Sequence, residues 1–234
     1  MSRGANAAPA PSDADIYERV VGAILDHRLT PGTKLVEDRL AGAFGVSRTR
    51  IRPVLVRLAS EQVVTLTPNR GASIARPTEQ EAREVFGARR LIEPTLVALY
   101  IERATQADLR RLTQCIDGEE AARHAGDMRR SIRLSGDFHL QIAAVAGHRT
   151  LGRILRELVS RTSLVLMAYS PAPARERAEA NACGCREHRT LLAAIRLRDA
   201  REAARCMVEH LTRLETELRF EPPAEPDLAT LFTT

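Results

Sequence analysis

The 234-residue chain contains little aromatic side chain and no tryptophan. Phe, Trp and Tyr together make up 3% of the residues, which excludes a stacking platform for single-stranded nucleic acid. No apolar run approaches the roughly 20 residues of a membrane span. The first 15 residues also lack the hydrophobic segment of a secretory signal. We therefore expect a cytoplasmic protein with no membrane partner.

Cysteine is also scarce, with four in the chain. In a cytoplasmic protein, cysteines are thiols or metal ligands rather than disulfides. This interpretation applies to Cys115, Cys183, Cys185 and Cys206.

Negative charge is absent from one stretch near the N-terminus. No acidic residue lies between Asp38 and Glu61, although the whole chain carries 30 acidic residues and a net charge of +5. The same interval contains five arginines: Arg39, Arg48, Arg50, Arg52 and Arg57. A helix face with only positive charge is suited to meet phosphate, so this stretch predicts binding to DNA.

The first structured unit is predicted to be a winged helix-turn-helix over residues 13–76. Apolar spacing indicates helices over 13–27 and 36–44, and a third that begins after Ser47 as its N-cap. Strands over 63–67 and 73–75 follow, joined by a turn that contains Gly71. Residues 1–12 are rich in Ala, Pro, Ser and Gly and are expected to be a disordered tail.

The second unit is predicted to be an all-helical bundle over residues 78–220. Two capping boxes, Thr78 with Glu81 and Thr105 with Asp108, indicate successive helix starts. About six helices and no strand are expected, and residues 221–234 are expected to form a flexible tail. The fold class is therefore mainly α, with an N-terminal winged helix-turn-helix and a C-terminal helical bundle.

The third helix is the predicted DNA-reading element. Arg48 and Arg52 lie four residues apart on one face and are the candidates for base contact. Arg50 and Arg57 are expected to touch phosphate, and Arg70 and Gly71 to bring the wing close to the minor groove. The alternative is a surface helix with solvated arginines. Pro53 lies past the first turn, where it removes a helix hydrogen bond and is expected to affect the axis.

This stretch resembles the GntR superfamily of bacterial transcription regulators. The run from Gly45 to Leu55, GVSRTRIRPVL, is close to the pattern of that family. The resemblance implies that four residues contact operator DNA: Arg48, Thr49, Arg52 and Gly71. Arg50 and Pro53 depart from the residues most common in the family, so the operator sequence is not carried over.

Three histidines fall on three different predicted helices of the second unit: His139, His188 and His210. A single histidine on an apolar helix face is more often a core residue than a ligand. Three imidazoles from separate helices can instead form a site for zinc, nickel or a similar divalent ion, with a position open for a ligand oxygen. The sequence leaves both interpretations open.

Residues 78–215 resemble the FCD effector domain of FadR-type GntR regulators. The matching runs are Arg89–Glu93, Ser135–His139, Ala146–Gly147, Glu187–His188 and Met207–His210. The resemblance implies that the three histidines and an aspartate hold a metal, and that the metal helps to hold a small carboxylate effector. Arg89 becomes a candidate for pairing with the effector carboxylate.

The fourth metal ligand is uncertain at this stage. The aspartate of the family lies one helical turn before the first histidine, where this chain has Ser135. Asp137 is two residues away and points to another side of the helix. Cys185 lies three residues before His188 and is an alternative ligand, one that would favour zinc. Cys206 could bind the metal in the same way, but a role as a small buried apolar residue is preferred for it. Water or the effector are the remaining alternatives.

The predicted function is a ligand-responsive transcriptional repressor. It would bind double-stranded operator DNA as a homodimer, with the helical domain as the interface, and respond to a small organic acid. Two alternatives remain from the sequence: a metal-dependent, hydrolase-like enzyme, and a constitutive DNA-binding protein whose helical domain only dimerises.

Overall fold

The computed structural model describes residues 10–170 and 178–220, with side chains in the second range from 185 onward. The described part contains nine helices and a small antiparallel sheet. The N-terminal elements are α1 Asp13–Leu25, β1 Lys34–Leu35, α2 Glu37–Phe44, α3 Arg48–Ser60, β2 Val64–Thr67 and β3 Gly71–Ile74. The bundle helices are α4 Glu79–Arg103, α5 Gln106–His124, α6 Met128–Ala146, α7 Arg149–Tyr169, α8 Ala178–Arg196 and α9 Ala200–Thr216.

The sheet has three strands in the order β1-β3-β2, rather than the two predicted. Lys34 pairs with Ser73 and Leu35 with Ala72, so β1 lies along the edge of β3 that does not pair with β2. A strand of two residues is too short to show alternating hydrophobicity, which is why the sequence does not reveal it. The hairpin closes at Gly71, whose φ of 82° suits glycine. The predicted winged helix-turn-helix is confirmed.

Helix starts follow the predicted caps, with two corrections. Ser12 caps α1 through a capping box with Asp15, so the prediction of disorder up to residue 12 is wrong at its end. Residues 1–9 of that predicted tail lie outside the described residues. Ser47 occupies the N-cap position of α3, but its hydroxyl meets Thr49 Oγ1 at 2.7 Å instead of a backbone N–H. The α3 helix continues through Pro53 without interruption.

The bundle consists of α4 to α9, and its helix count is as predicted. The capping boxes at Thr78 and Thr105 are both present, and Asp199 caps α9. The central helix α4 runs for 25 residues with Pro94 inside it and packs against α6, α7 and α9. In the described ranges, no helix is both long enough and apolar enough to cross a bilayer. The predicted tail over 221–234 lies outside the described residues.

The two domains meet where α1 packs on α6 and α7. Ser163 of α7 donates its hydroxyl to the carbonyl of Ile24 at 3.3 Å. Arg133 of α6 pairs with Asp26, just after α1, at 3.0 Å. The end of α1 is therefore the part of the DNA-binding domain that lies closest to the interior of the bundle.

Candidate functional site

The α3 helix presents its arginines outward because its opposite face is fully packed. Ile51, Val54, Leu55 and Leu58 are buried in the core of the N-terminal domain. The turn before α3 is made by Gly45, which has a φ of 65° and ends α2 in the left-handed conformation. This geometry leaves the N-terminal half of α3 on the surface.

Arg48 and Arg52 border a surface cleft between α3 and the wing. The cleft has a volume of about 680 Å³, and the basic residues in its lining are Lys34, Arg48, Arg52 and Arg70, beside Gly71 at the wing turn. Arg52 Nε lies 2.9 Å from Glu37 Oε2, and Arg48 lies 3.4 Å from the same oxygen. The Arg52 hydrogen bond lowers the pKa of Glu37, which remains a carboxylate. The two arginines are thus exposed and share one carboxylate that holds them side by side.

Arg50 and Arg57 were expected to contact DNA phosphate, and in the structure both side chains contact residues of their own domain. Arg50 donates to Asp13 at 2.7 Å and to the carbonyl of Pro11 at 2.8 Å, linking the starts of α3 and α1. The guanidinium of Arg57 lies 3.6 Å above the ring of Tyr17 and pairs with Glu61 at 3.2 Å. Both side chains therefore stabilise their own domain, a role that spacing on α3 alone does not reveal.

The three histidines come together in the centre of the bundle. His139 of α6, His188 of α8 and His210 of α9 are each at most 2% exposed. Their candidate ligand atoms all lie within 4.8 Å of one another, and the Nε2 atoms of His188 and His210 are 3.2 Å apart. Two imidazole nitrogens on one tetrahedral zinc ion are separated by about 3.3 Å. A small shift of the third ring would complete such a site.

A carboxylate orients each of the three rings; Glu93 and Glu119 are buried, whereas the Glu187 side chain is 21% exposed. His139 Nδ1 meets Glu93 Oε2 at 2.5 Å, His188 Nδ1 meets Glu119 Oε2 at 2.8 Å, and His210 Nδ1 meets Glu187 Oε2 at 2.9 Å. A carboxylate that accepts the Nδ1 proton fixes the tautomer in which Nε2 offers its lone pair. All three rings share this arrangement, which is the usual environment of metal-binding histidines.

Each of these carboxylates also has an arginine partner. Arg89 pairs with Glu93 at 2.5 Å, Arg123 with Glu119 at 3.5 Å, and Arg213 with Glu187 at 3.3 Å. Neutral imidazoles bring no charge of their own, so a divalent ion would add positive charge to the site and favour anions.

The charge states of these groups suit a metal. Burial is the main cause that lowers the pKa of His139 to about 3 and of His210 to about 4, so both rings are neutral at physiological pH. Burial raises the pKa of Glu93, but the charges of Arg89 and His139 and their hydrogen bonds together lower it to about 2. Neutral imidazoles held by ionised carboxylates are the ligand form that zinc or nickel requires.

Cys185 is not grouped with the three histidines. Its thiol is hydrogen-bonded to Glu119, and burial raises its pKa to about 11. Among the described His, Cys, Asp and Glu residues, the grouped set at this place is the three histidines alone. Asp137 pairs with Arg133 instead, and Cys206 contacts Glu202.

A small cavity adjoins His139. Its polar lining includes Arg89, Ser135, Thr162 and Ser163. Arg89 donates to Thr162 at 3.3 Å, and its Nη2 atom is buried with no hydrogen-bond partner. Ser135, the residue at the aspartate position of the family, lies in this cavity beside His139. The cavity thus combines an unpaired guanidinium nitrogen with one edge of the histidine cluster.

These features define a class of protein: a winged helix-turn-helix joined to a helical domain with a buried histidine cluster, as in ligand-responsive regulators. The model of the GntR family of bacterial regulatory proteins matches residues 13–74. The FCD domain model matches residues 84–213. The chain belongs to the GntR family of DNA-binding transcriptional regulators and carries an FCD domain.

Relatives and solved structures agree with this assignment. The chain is 28% identical to the HTH-type transcriptional regulator McbR of Escherichia coli K12 over 189 residues, covering 77% of this chain and 80% of McbR. It is 21% identical to the repressor RspR of the same organism over 210 residues, covering 89% and 90%. The E. coli McbR/YncC structure superposes with a TM-score of 0.76 at 24% identity, covering 86% of this chain and 93% of that one. A GntR regulator from Rhodococcus gives 0.74 at 20% identity, covering 88% and 96%.

The two family models and these relatives are regulators, so the alternative of a hydrolase-like enzyme is wrong.

Sequence reasoning missed several residues of both sites. Lys34 reaches the cleft beside α3 from β1, and Glu37 pairs with Arg52 at the edge of that cleft. Glu93 and Glu187 stood inside matched motifs without an assigned role, and Glu119 lay outside every matched motif. A search for acidic residues on the buried faces of predicted helices would have found Glu93 and Glu119, because a buried carboxylate requires a partner.

Proposed function

We propose that this protein is a homodimeric, cytoplasmic repressor whose operator affinity is controlled by a metal-bound organic acid. The observation that carries the proposal is the convergence of one ring nitrogen from each of three histidines within 4.8 Å, with a carboxylate bonded to each ring at Nδ1. His139, His188 and His210 would hold zinc or nickel, which would supply Lewis-acid binding of an anionic oxygen.

The effector would be a small carboxylate. A divalent ion would add positive charge to the site, and this charge favours an anion. The unpaired Nη2 of Arg89 offers a donor for a second carboxylate oxygen at the adjoining cavity. Ser135 lacks the negative charge of an aspartate, so the position beside His139 is left for water or for an effector oxygen.

DNA would be read by Arg48 and Arg52 in the major groove. Thr49, beside Arg48, would contact the operator as well, and Arg70 and Gly71 would follow the minor groove. Arg50 and Arg57 would add phosphate contacts only where their links to Asp13 and Glu61 leave a donor free. A two-fold operator requires two copies of the chain, and the exposed face of the bundle provides the surface for pairing.

Elemental analysis tests the metal part of this proposal. Protein purified without a His-tag or added metal should contain about one zinc or nickel ion per chain. Chelation should lower the melting temperature by several degrees, because an ion bound only by the folded state stabilises it by RT ln(1 + L/Kd), where L is the free ion concentration. His188→Ala should abolish both effects.

Failure of that test would support a different function. If no metal is found and added zinc or nickel does not raise the melting temperature, the three histidines are core residues. The constitutive DNA-binding protein with a purely dimerising helical domain then becomes the better interpretation.

A further inference from the structure

One wall of the cavity beside His139 comes from the DNA-binding domain. Most of its lining belongs to the bundle, including Arg89, Ser135, Gly136, His139 and Val159. Leu25, the last residue of α1, completes the described lining and is 7% exposed. A residue of the DNA-binding domain is therefore part of the pocket next to the candidate metal centre.

The cavity is too small for an organic acid. Its volume is about 30 Å³, which is enough for one or two water molecules. The bundle walls are close to each other, since a Cβ added at Gly136 would meet Val159 Cγ1 at 3.2 Å. Helix α4 packs against α6, α7 and α9, and α6 packs against α7. Space for a ligand must therefore come from the remaining wall, which is Leu25.

The polar links that attach the end of α1 to the bundle are weak. The Ser163 hydrogen bond to Ile24 is 3.3 Å long. The Arg133–Asp26 pair is about one-third exposed on both sides and therefore contributes little. Displacement of this segment costs few polar contacts.

His27, which follows, is also in an unfavourable environment. Its φ is 54°, in the left-handed region, and its buried Nε2 has no hydrogen-bond partner. Movement of this segment away from the bundle would give that nitrogen access to water. The polar groups at the end of α1 therefore oppose its movement away from the bundle only weakly.

We infer that Leu25 is an effector-site residue supplied by the DNA-binding domain, and that a carboxylate at the metal centre takes the space of its side chain. This inference rests on the proposed function, and it adds the route by which the ligand acts. Ligand and Leu25 compete for one volume, so occupancy of the pocket releases the end of α1 from the bundle. By linkage, a docked α1 weakens ligand binding by the same factor.

The test compares Leu25→Ala with Val21→Ala in the full-length, zinc-loaded protein. Val21 is a buried residue one turn earlier in α1 that does not line the cavity, so its variant controls for general loosening of the helix. Succinate is the probe, as a small dianion opposite in charge to the bound ion. Its dissociation constant is measured by calorimetry, and amide exchange of residues 22–29 is followed with and without it.

Leu25→Ala should bind succinate roughly ten-fold more tightly than the wild type, whereas Val21→Ala should not differ. Succinate should speed amide exchange at residues 22–29 in the wild type. In Leu25→Ala, exchange there should already be fast and should not change further.

Equal succinate affinity in Leu25→Ala and the wild type would overturn the inference while leaving the proposed function intact. If Leu25→Ala binds succinate and the wild type does not, Leu25 is supported as the wall of the cavity, but succinate-like effectors are refuted for the wild type. If neither protein binds succinate, the inference fails, and the zinc-dependent melting temperature decides separately whether the metal site stands.

Discussion

Arg48 and Arg52 differ from Arg50 and Arg57 in what holds their side chains. The first two rest on Glu37 at the edge of the cleft, where DNA phosphates and bases can replace that contact. The other two are held by Asp13 and by Tyr17 with Glu61. The four arginines therefore differ in their contacts: one pair borders the cleft and is proposed to read DNA, and the other pair contacts residues of its own domain.

Arg52→Ala should weaken binding to the selected operator by about 1–3 kcal/mol and relax specificity at one base, because a bidentate base contact is lost. Arg57→Ala is the matched control: its side chain is held by Tyr17 and Glu61, so any loss of affinity should be the same for selected and random duplexes. Fluorescence anisotropy against both duplexes measures the ratio. The base-reading assignment is wrong if Arg52→Ala loses affinity equally for the two.

Glu119→Gln should lower zinc affinity by about 10–100-fold, because the carboxylate that orients the His188 ring and raises its basicity is lost. Glu120→Gln removes a neighbouring carboxylate that pairs with Arg189 outside the cluster, and it should leave zinc affinity unchanged. Competition with a chromophoric chelator gives both constants. Identical constants for the two variants would contradict a role for Glu119 in metal binding.

The helix starts differ in how their first N–H groups are satisfied. At α4, the Thr78 hydroxyl accepts from the backbone of Glu81 at 3.2 Å, and Glu81 accepts from Thr78 in return. At α3, the hydroxyl of Ser47 makes no such bond. The start of α3 therefore keeps donors directed to the surface where DNA is expected to lie, whereas α4 begins with its donors satisfied.

Thr78→Ala should destabilise the protein by roughly 1 kcal/mol, because it removes a side-chain cap. The melting temperature should fall by about 2–4 °C for a chain of this size. Ser47→Ala should change the melting temperature much less, since no capping bond is lost. Scanning calorimetry of both variants measures the shifts in melting temperature. Equal shifts would show that the Thr78 cap stabilises the protein no more than Ser47 does.

In the part of the chain that the structure describes, one face of α4 is exposed. Leu91, near the middle of this helix, is 80% exposed. Leu197 is similarly exposed, at 81%, but it lies in the turn between α8 and α9. A long helix offers a continuous surface to a second copy, whereas a turn does not. The face around Leu91 is therefore the expected dimer interface.

Leu91→Glu should convert the protein to a monomer, because pairing would bury two like charges at the two-fold axis. Leu197→Glu carries the same change at matched exposure and should remain dimeric. Sedimentation velocity at micromolar concentration distinguishes the two results. Dimers of Leu91→Glu, or a monomeric wild type, would exclude this face as the interface.

Prediction from sequence was most accurate where the interaction is local. The capping boxes at Thr78 and Thr105 and the buried face of α3 follow from spacings of three and four residues, and the structure confirms them. Strand β1 and the loss of the predicted cap bond at Ser47 were missed. Strand β1 depends on pairing with β3, and the Ser47 bond depends on which rotamer the side chain adopts. The local sequence pattern encodes neither.

The amino-acid sequence by itself determined the two-domain, mainly helical architecture, the positive face of α3 and the presence of three histidines on separate helices. Only the tertiary structure decided which carboxylate faces which ring, since Glu119 and His188 are 69 residues apart. It also decided that Leu25 closes the cavity beside His139. The physical reason is that periodicity tells which side of a helix is buried, whereas the contacts on that side depend on how the helices pack.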